Sequence, residues 1–153
     1  MIEKSRCLVS IIILGVFLDQ MTKFIAQNNL DFTIAKVIIP KILSFQLVHN
    51  YGAAYGILQN QRIFLLMVSF FVLVLCYCFR KKLATTNYSK LALSFLFIGT
   101  IGNFLDRLML GYVIDFVDIK VFPLFNVADV CIDISIILFL LELIIYKNEI
   151  KEN

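Results

Sequence analysis

Carboxylates and amides stand in this chain where apolar neighbours make them costly, and two of the carboxylates are suited to acid–base chemistry. Asp115 sits in a short connection between apolar runs and Asp129 opens the last of those runs. Two carboxylates held close together cannot both ionise easily; one pKa rises and the pair holds a shared proton. One member can then take a proton from water while the other donates to a carbonyl oxygen, so neither metal nor cofactor is expected. Serine–histidine chemistry has no support: the single histidine, His49, stands alone and is expected to be non-catalytic. Cys7, Cys76, Cys78 and Cys131 all lie in apolar runs, without zinc spacing or a loop suited to a disulfide, and read as small apolar core residues.

The elements that must position these groups are membrane-spanning helices. The 153 residues are 61% hydrophobic and 16% charged, with a mean hydropathy of +0.91; soluble domains are about 45–50% apolar and about 25% charged. A span needs roughly 17–25 mostly apolar residues. Four segments meet or approach that, at about 7–26, 63–79, 91–108 and 127–146. The fold expected is therefore a membrane all-α core of four transmembrane helices in one domain, 1–153. The first segment also resembles a secretory leader, with Lys4 and Arg6 before it, but Asp19 to Lys23 provide no small-residue cleavage site, so an uncleaved helix is predicted. The basic residues fall between apolar runs rather than on one face, which argues against nucleic acid as a partner.

Arg80, Lys81, Lys82 and Lys90 crowd the connection between the second and third spans; Lys4 and Arg6 precede the first, and Lys147 and Lys151 follow the fourth. By the positive-inside rule these lie in the cytoplasm, with both termini, and the connections 27–62 and 109–126 face outward. The outward edge then collects Asp19 and Lys23 from the first helix, and Asn103, Asp106 and Arg107 from the third. Asp129 joins them from the first turn of the fourth, and Asp115 from the loop before it. Asp19 and Lys23 are four apart, as are Asn103 and Arg107, so each pair shares a helical face; Asn126, Asp129 and Asp133 share another. Taken alone, Asn126 to Asp129 is also a helix-cap pattern. Residues 32–48 are apolar, Ser44 to Leu47 alternate, and Pro40 marks a turn, so two short strands are predicted in the first outer loop.

Five stretches, in order, resemble the lipoprotein signal peptidase family, also called signal peptidase II. Asp19-Gln20-Met21-Thr22-Lys23 is similar to D-Q-x-x-K, and Asn50-Tyr51-Gly52-Ala53-Ala54-Tyr55-Gly56 to N-x-G-x-A-F-G. Gly102-Asn103-Phe104-Leu105-Asp106-Arg107 resembles G-N-x-x-D-R, and Val113-Ile114-Asp115-Phe116 resembles V-x-D-F. Phe122-Pro123-Leu124-Phe125-Asn126-Val127-Ala128-Asp129 resembles F-P-x-F-N-x-A-D. The resemblance implies an aspartyl endopeptidase of the bacterial cytoplasmic membrane. Its substrates would be prolipoproteins carrying a diacylglyceryl group on a cysteine, cut just before that cysteine, with membrane lipids as surroundings. It implies Asp115 and Asp129 as the catalytic dyad. Asn50, Gly52, Asn103, Arg107 and Asn126 would hold dyad and substrate, and Asp19, Lys23 and Asp106 would give structural support. An outer β-cradle is also implied.

Three features depart from the pattern. Tyr55 stands for Phe, the segment from Asp115 to Asp129 is short, and Asp133 lies outside the motifs. Asp133 is expected to be a hydrogen-bonded acid facing the bundle; a sharper alternative is that it raises the pKa of Asp129 by like-charge repulsion. Two other function classes compete with the peptidase: a proton-coupled transporter, whose acids should lie near the midplane rather than at one edge, and a non-catalytic assembly factor, which has no use for two neighbouring acids beside Arg107.

Overall fold

The computed structural model describes residues 2–152, with side chains described for residues 8–145. Lys4, Arg6, Lys147 and Lys151, which bear on orientation, and Cys7 lie outside the described side chains. In chain order the elements are α1 (Ile2–Asn29), β1 (Lys36–Ile39), β2 (Leu43–Asn50), a 3-10 turn (Ala54–Gly56), α2 (Arg62–Leu83), α3 (Asn87–Met109), β3 (Val113–Ile119) and α4 (Val127–Glu152).

Among the described residues, three helical stretches are long and apolar enough to cross a membrane: Leu8–Asn29, Arg62–Leu83 and Asn87–Met109. α4 has 26 residues but carries Asp129, Asp133 and Glu142. Each helix extends past its predicted range at one end or both, α4 only at its C-terminal end, because hydropathy marks the apolar middle and misses polar end turns. α3 shows the cause. Thr86 caps it reciprocally with Ser89: the Thr86 Oγ1 accepts from Ser89 N at 3.1 Å and the Ser89 Oγ from Thr86 N at 2.9 Å. At its other end the chain turns through Gly111, at φ +91°, a conformation side chains resist.

α3 is the central helix and packs against α1, α2 and α4; among the described residues, α2 and α4 make no comparable contact. Glycines set the closeness of the α3 seams. A Cβ on Gly99 would lie 2.3 Å from the Ala128 carbonyl oxygen, and one on Gly102 would lie 2.4 Å from Asp19 Oδ2. Small residues at helix contacts are the usual means of close packing where lipid supplies no hydrophobic drive. Large apolar side chains point outward instead, such as Phe24 at 67% and Ile63 at 73% exposure. Cys76 and Cys131 are buried as expected, whereas Cys78 is exposed on the outer surface of α2 and is not a core residue.

The two strands predicted around Pro40 are present as β1 and β2. The sheet does not belong to the 27–62 connection alone, however: β3, from the 109–126 connection, pairs with β2 to give the antiparallel order β1-β2-β3. Asp115 therefore lies on a strand, not in a loop. Local periodicity hid β3, because Val113 to Phe116 are all buried and show no alternation. β2 also departs from simple alternation. Phe45 pairs with Val117 but Val48 with Asp115, so β2 carries one extra residue there, a bulge. Ala26, Leu47, Ile114 and Phe116 form an apolar cluster that fastens the sheet to the end of α1.

The seam geometry predicts that Gly99→Ala lowers the thermal unfolding midpoint in detergent, at a cost of about 1–3 kcal/mol for overpacking, since a backbone carbonyl cannot step aside. Ile13→Ala, on the outward face of α1, leaves the midpoint nearly unchanged.

Candidate active site

The site grows from one buried cation. The Lys23 side chain is 2% exposed, and its Nζ lies 2.9 Å from Asp19 Oδ2 and 3.0 Å from Asp106 Oδ2. It also donates to Asn103 Oδ1 at 3.1 Å. A buried charge is tolerated only when paired and hydrogen-bonded, and here every partner is also tied elsewhere. Asp19 Oδ1 accepts from Ala128 N, in the first turn of α4, at 2.8 Å. Asp106 Oδ2 accepts from Ile114 N, at the start of β3, at 3.1 Å. With its oxygen held by Lys23, Asn103 turns its amide Nδ2 to donate to Asp129 Oδ1 at 2.7 Å.

The helix cap expected at Asn126 to Asp129 is present, and it leaves atoms of both residues free for other contacts. Asn126 N donates to Asp129 Oδ2 at 3.1 Å, and Asp129 N donates to Asn126 Oδ1 at 3.0 Å, a reciprocal cap over the α4 N-terminus. That leaves the Asn126 Nδ2 free to donate to Asp115 Oδ1 at 2.7 Å, with a longer contact to Asn103 Oδ1 at 3.3 Å. One fully buried asparagine thus binds both aspartates.

Asp115 comes from β3, its second oxygen accepting from Asn50 Nδ2, on β2, at 2.9 Å. Asn50 Oδ1 accepts in turn from Gly52 N at 2.9 Å, and the Gly52 carbonyl accepts from Arg107 Nη2 at 2.9 Å. Arg107 forms no ion pair with either aspartate among the described residues; it holds the loop that holds Asn50. Burial, and next the charge of Asp129, push the Asp115 carboxyl up to about 7, against the opposing hydrogen bonds from Asn50 and Asn126. Among the described residues, no group of three or more His, Cys, Asp and Glu is arranged to hold a metal ion.

All ten residues singled out from the sequence gather at one end of the bundle. Asp133 departs from expectation: it is exposed on α4, with no hydrogen-bond or ion-pair partner among the described residues, so it is not a bonded acid facing the bundle. Its stretch of α4 turns Cys131 and Ser135 inward instead. His49 stacks on Tyr112 at 3.8 Å between ring centroids and meets Phe32 edge-on. Burial lowers its pKa, and its Nε2 has no hydrogen-bond partner among the described residues.

Two residues were missed by sequence reasoning. Gln20 Nε2 donates to Asp106 Oδ1 at 2.9 Å; its place inside the first motif was the available signal. Arg62, at the start of α2, donates to the carbonyls of Arg107 at 2.8 Å and Leu108 at 2.9 Å, closing the end of α3. Nothing local in the sequence marks that contact.

Charge buried at one end of an apolar helix bundle defines a membrane-embedded protein with an ionisable site, and comparison with known proteins gives it a family. The family model described as signal peptidase (SPase) II matches residues 11–145. The lipoprotein signal peptidases of Staphylococcus aureus strains JH9 and Newman are each 34% identical over 149 residues, covering 94% of this chain and 91% of theirs. A bacterial membrane enzyme solved by the in meso method at 2.3 Å resolution is 32% identical, with a TM-score of 0.89 over 96% of this chain and 93% of its own. Another, solved at 1.9 Å, is 34% identical, with a TM-score of 0.81 over 90% of this chain and 92% of its own. The chain belongs to the signal peptidase II family, and with that membership it is a protease; the transporter and assembly-factor readings fall.

Two measurements test this network. An unfolded aspartate titrates near 4, so the folded protein holds an extra proton on Asp115 between about pH 4 and 7, and stability falls as pH rises through that window. Asp115→Asn cannot ionise, and its thermal midpoint should vary less with pH over that range than the wild type's; parallel curves would contradict the assignment. Lys23→Met leaves Asp19 and Asp106 buried without their cation, at a cost of about 3–5 kcal/mol, and should lower the midpoint sharply or prevent accumulation in the membrane.

Proposed function

We propose that this chain is a membrane aspartyl endopeptidase in which Asp115 and Asp129 act as a catalytic pair on the signal peptides of lipoprotein precursors. Family membership supports the activity, removal of the signal peptide from prolipoproteins. The observation that carries the aspartyl mechanism is the shared asparagine: Asn126 donates to Asp115 and is in reciprocal hydrogen bonding with Asp129. Two acids from a strand and a helix are thereby held at one site, and the raised pKa of Asp115 suits a pair that keeps one proton near neutral pH.

In this mechanism a water molecule lies between the two carboxyls. The ionised carboxylate removes a proton from the water as its oxygen attacks the carbonyl carbon of the scissile peptide. The protonated partner gives its proton to the carbonyl oxygen. The tetrahedral intermediate then collapses: the departing nitrogen takes the proton held by the first carboxylate, the C–N bond breaks, and a hydroxyl of the intermediate returns its proton to the second carboxylate. Arg107, Gly52 and Asn50 keep Asp115 in place, while Asn103 does the same for Asp129. Lys23, Asp19 and Asp106 secure the elements beneath.

We read α4 as a fourth span: at 26 residues it is about 39 Å long, enough for a hydrocarbon core of about 30 Å. The basic connection between α2 and α3 then faces the cytoplasm, with both termini, and the site lies toward the outer face of the bacterial cytoplasmic membrane, with residues 1–153 acting as one peptidase unit. That depth suits a substrate whose diacylglyceryl cysteine is anchored in the outer leaflet, cleaved just before that cysteine. The scissile peptide must leave its helix, since a helical carbonyl is already hydrogen-bonded.

Asp115→Asn and Asp129→Asn should each reduce cleavage of a lipidated prolipoprotein peptide by about 10³-fold or more, in protein that still folds and elutes normally. Cleavage retained in both variants would refute the pair.

A further inference from the structure

Asp133 is an acid of α4 that the site's network leaves unused. Asp19, Asp106 and Asp115 are buried and bonded; Asp133 is exposed and free of partners among the described residues. Its direction follows from helical spacing. Asp129, Asp133, Ile136 and Leu140 stand at i, i+4, i+7 and i+11, one stripe along α4, and the last three are all exposed. The inner side of α4 is taken by its neighbours: Ala128 meets Asp19 of α1, and Ile132 packs on Gly99 of α3. α2 packs on α3 and, among the described residues, makes no comparable contact with α4. The stripe therefore runs uncovered down the helix from Asp133, one turn past the half-buried Asp129.

A lone carboxylate facing lipid tails is expensive, so the surface that bears it should meet something polar. On the reading of the site as a signal peptidase, on which this inference rests, the substrate supplies that match. Unwinding the peptide around the scissile bond frees backbone N–H groups, and each is costly if left unpaired at membrane depth. An ionised carboxylate offers only acceptors. Asp133 lies one turn below Asp129, about 6 Å deeper, and residues before the cut lie deeper than the cut itself. At about 3.3 Å per extended residue, that offset corresponds to two residues. We propose that Asp133 is a substrate-binding residue whose carboxylate accepts the backbone N–H of the signal-peptide residue two positions before the cleaved bond.

The test is steady-state kinetics on a lipidated prolipoprotein peptide, and on the same peptide with that N–H replaced by an ester oxygen. Asp133→Leu should raise KM about tenfold, the order expected for one hydrogen bond to a charged acceptor, with kcat within about twofold. Asp133→Asn, whose amide oxygen still accepts but carries no charge, should fall between, with KM raised about threefold, since a neutral acceptor makes a hydrogen bond roughly half as strong. The ester substrate should carry a similar KM penalty with the wild type and none beyond it with Asp133→Leu. The inference is overturned by an unchanged KM in Asp133→Leu, by a loss confined to kcat, by penalties that multiply, or by an ester substrate that wild-type enzyme binds normally. That last arm needs no variant to fold. Asp129→Asn run in parallel separates the two readings. Cleavage by that variant refutes the catalytic pair and this inference with it; its inactivity beside an unaffected Asp133→Leu refutes this inference alone.

Discussion

A single ammonium group, that of Lys23, sets the arrangement on which the rest of the structure depends. Removed from water, it needs several acceptors, and it has Asp19, Asp106 and Asn103. Each acceptor also orients one part of the site: Asp19 holds the first turn of α4, Asp106 the first residues of β3, and Asn103 the carboxylate of Asp129. The two elements that carry Asp115 and Asp129 are therefore anchored to the same cation. Buried ion pairs are often poor sources of net stability; here the pairing fixes where elements from opposite ends of the chain meet.

A second economy lies at the start of α4. The first N–H groups of any helix lack intrahelical partners, and an Asn–Asp pair is an ordinary way to satisfy them. In this chain the cap uses one side-chain oxygen and the backbone N–H of Asp129 together with the side-chain amide oxygen and backbone N–H of Asn126. The atoms left over, Asp129 Oδ1 and Asn126 Nδ2, point into the site. Capping and site building share residues without competing for atoms, so the position of Asp129 is as rigid as the helix end itself.

The interior at this end is polar and the exterior apolar. Lys23, Asp19 and Asn126 are among the largest fully buried side chains, while phenylalanines and isoleucines face outward. Much of the helical organisation was legible because lipid exposure imposes long apolar runs, and those runs are a local property. The strands around Pro40 were legible for a similar reason. β3 was not: its buried stretch reads as another apolar segment, and only pairing with β2 makes it a strand. The contacts of Arg62 with the end of α3 were equally hidden, since partners 45 and 46 residues away leave no local pattern.

By itself the sequence determined the helices, their approximate limits, and the gathering of Asp19, Lys23, Asn103, Asp106, Arg107, Asp115 and Asp129 at one edge. Burial in an apolar run is costly enough to mark each such residue. What the tertiary structure alone decided is which atom meets which. Asn126 joins both aspartates, Arg107 holds Gly52 rather than either acid, and Asp133 faces outward, unpaired among the described residues, instead of into the bundle. The physical reason is that the cost of burying a polar group depends on that residue and its neighbours in sequence, whereas the hydrogen bond that offsets the cost depends on whatever the fold brings within about 3 Å.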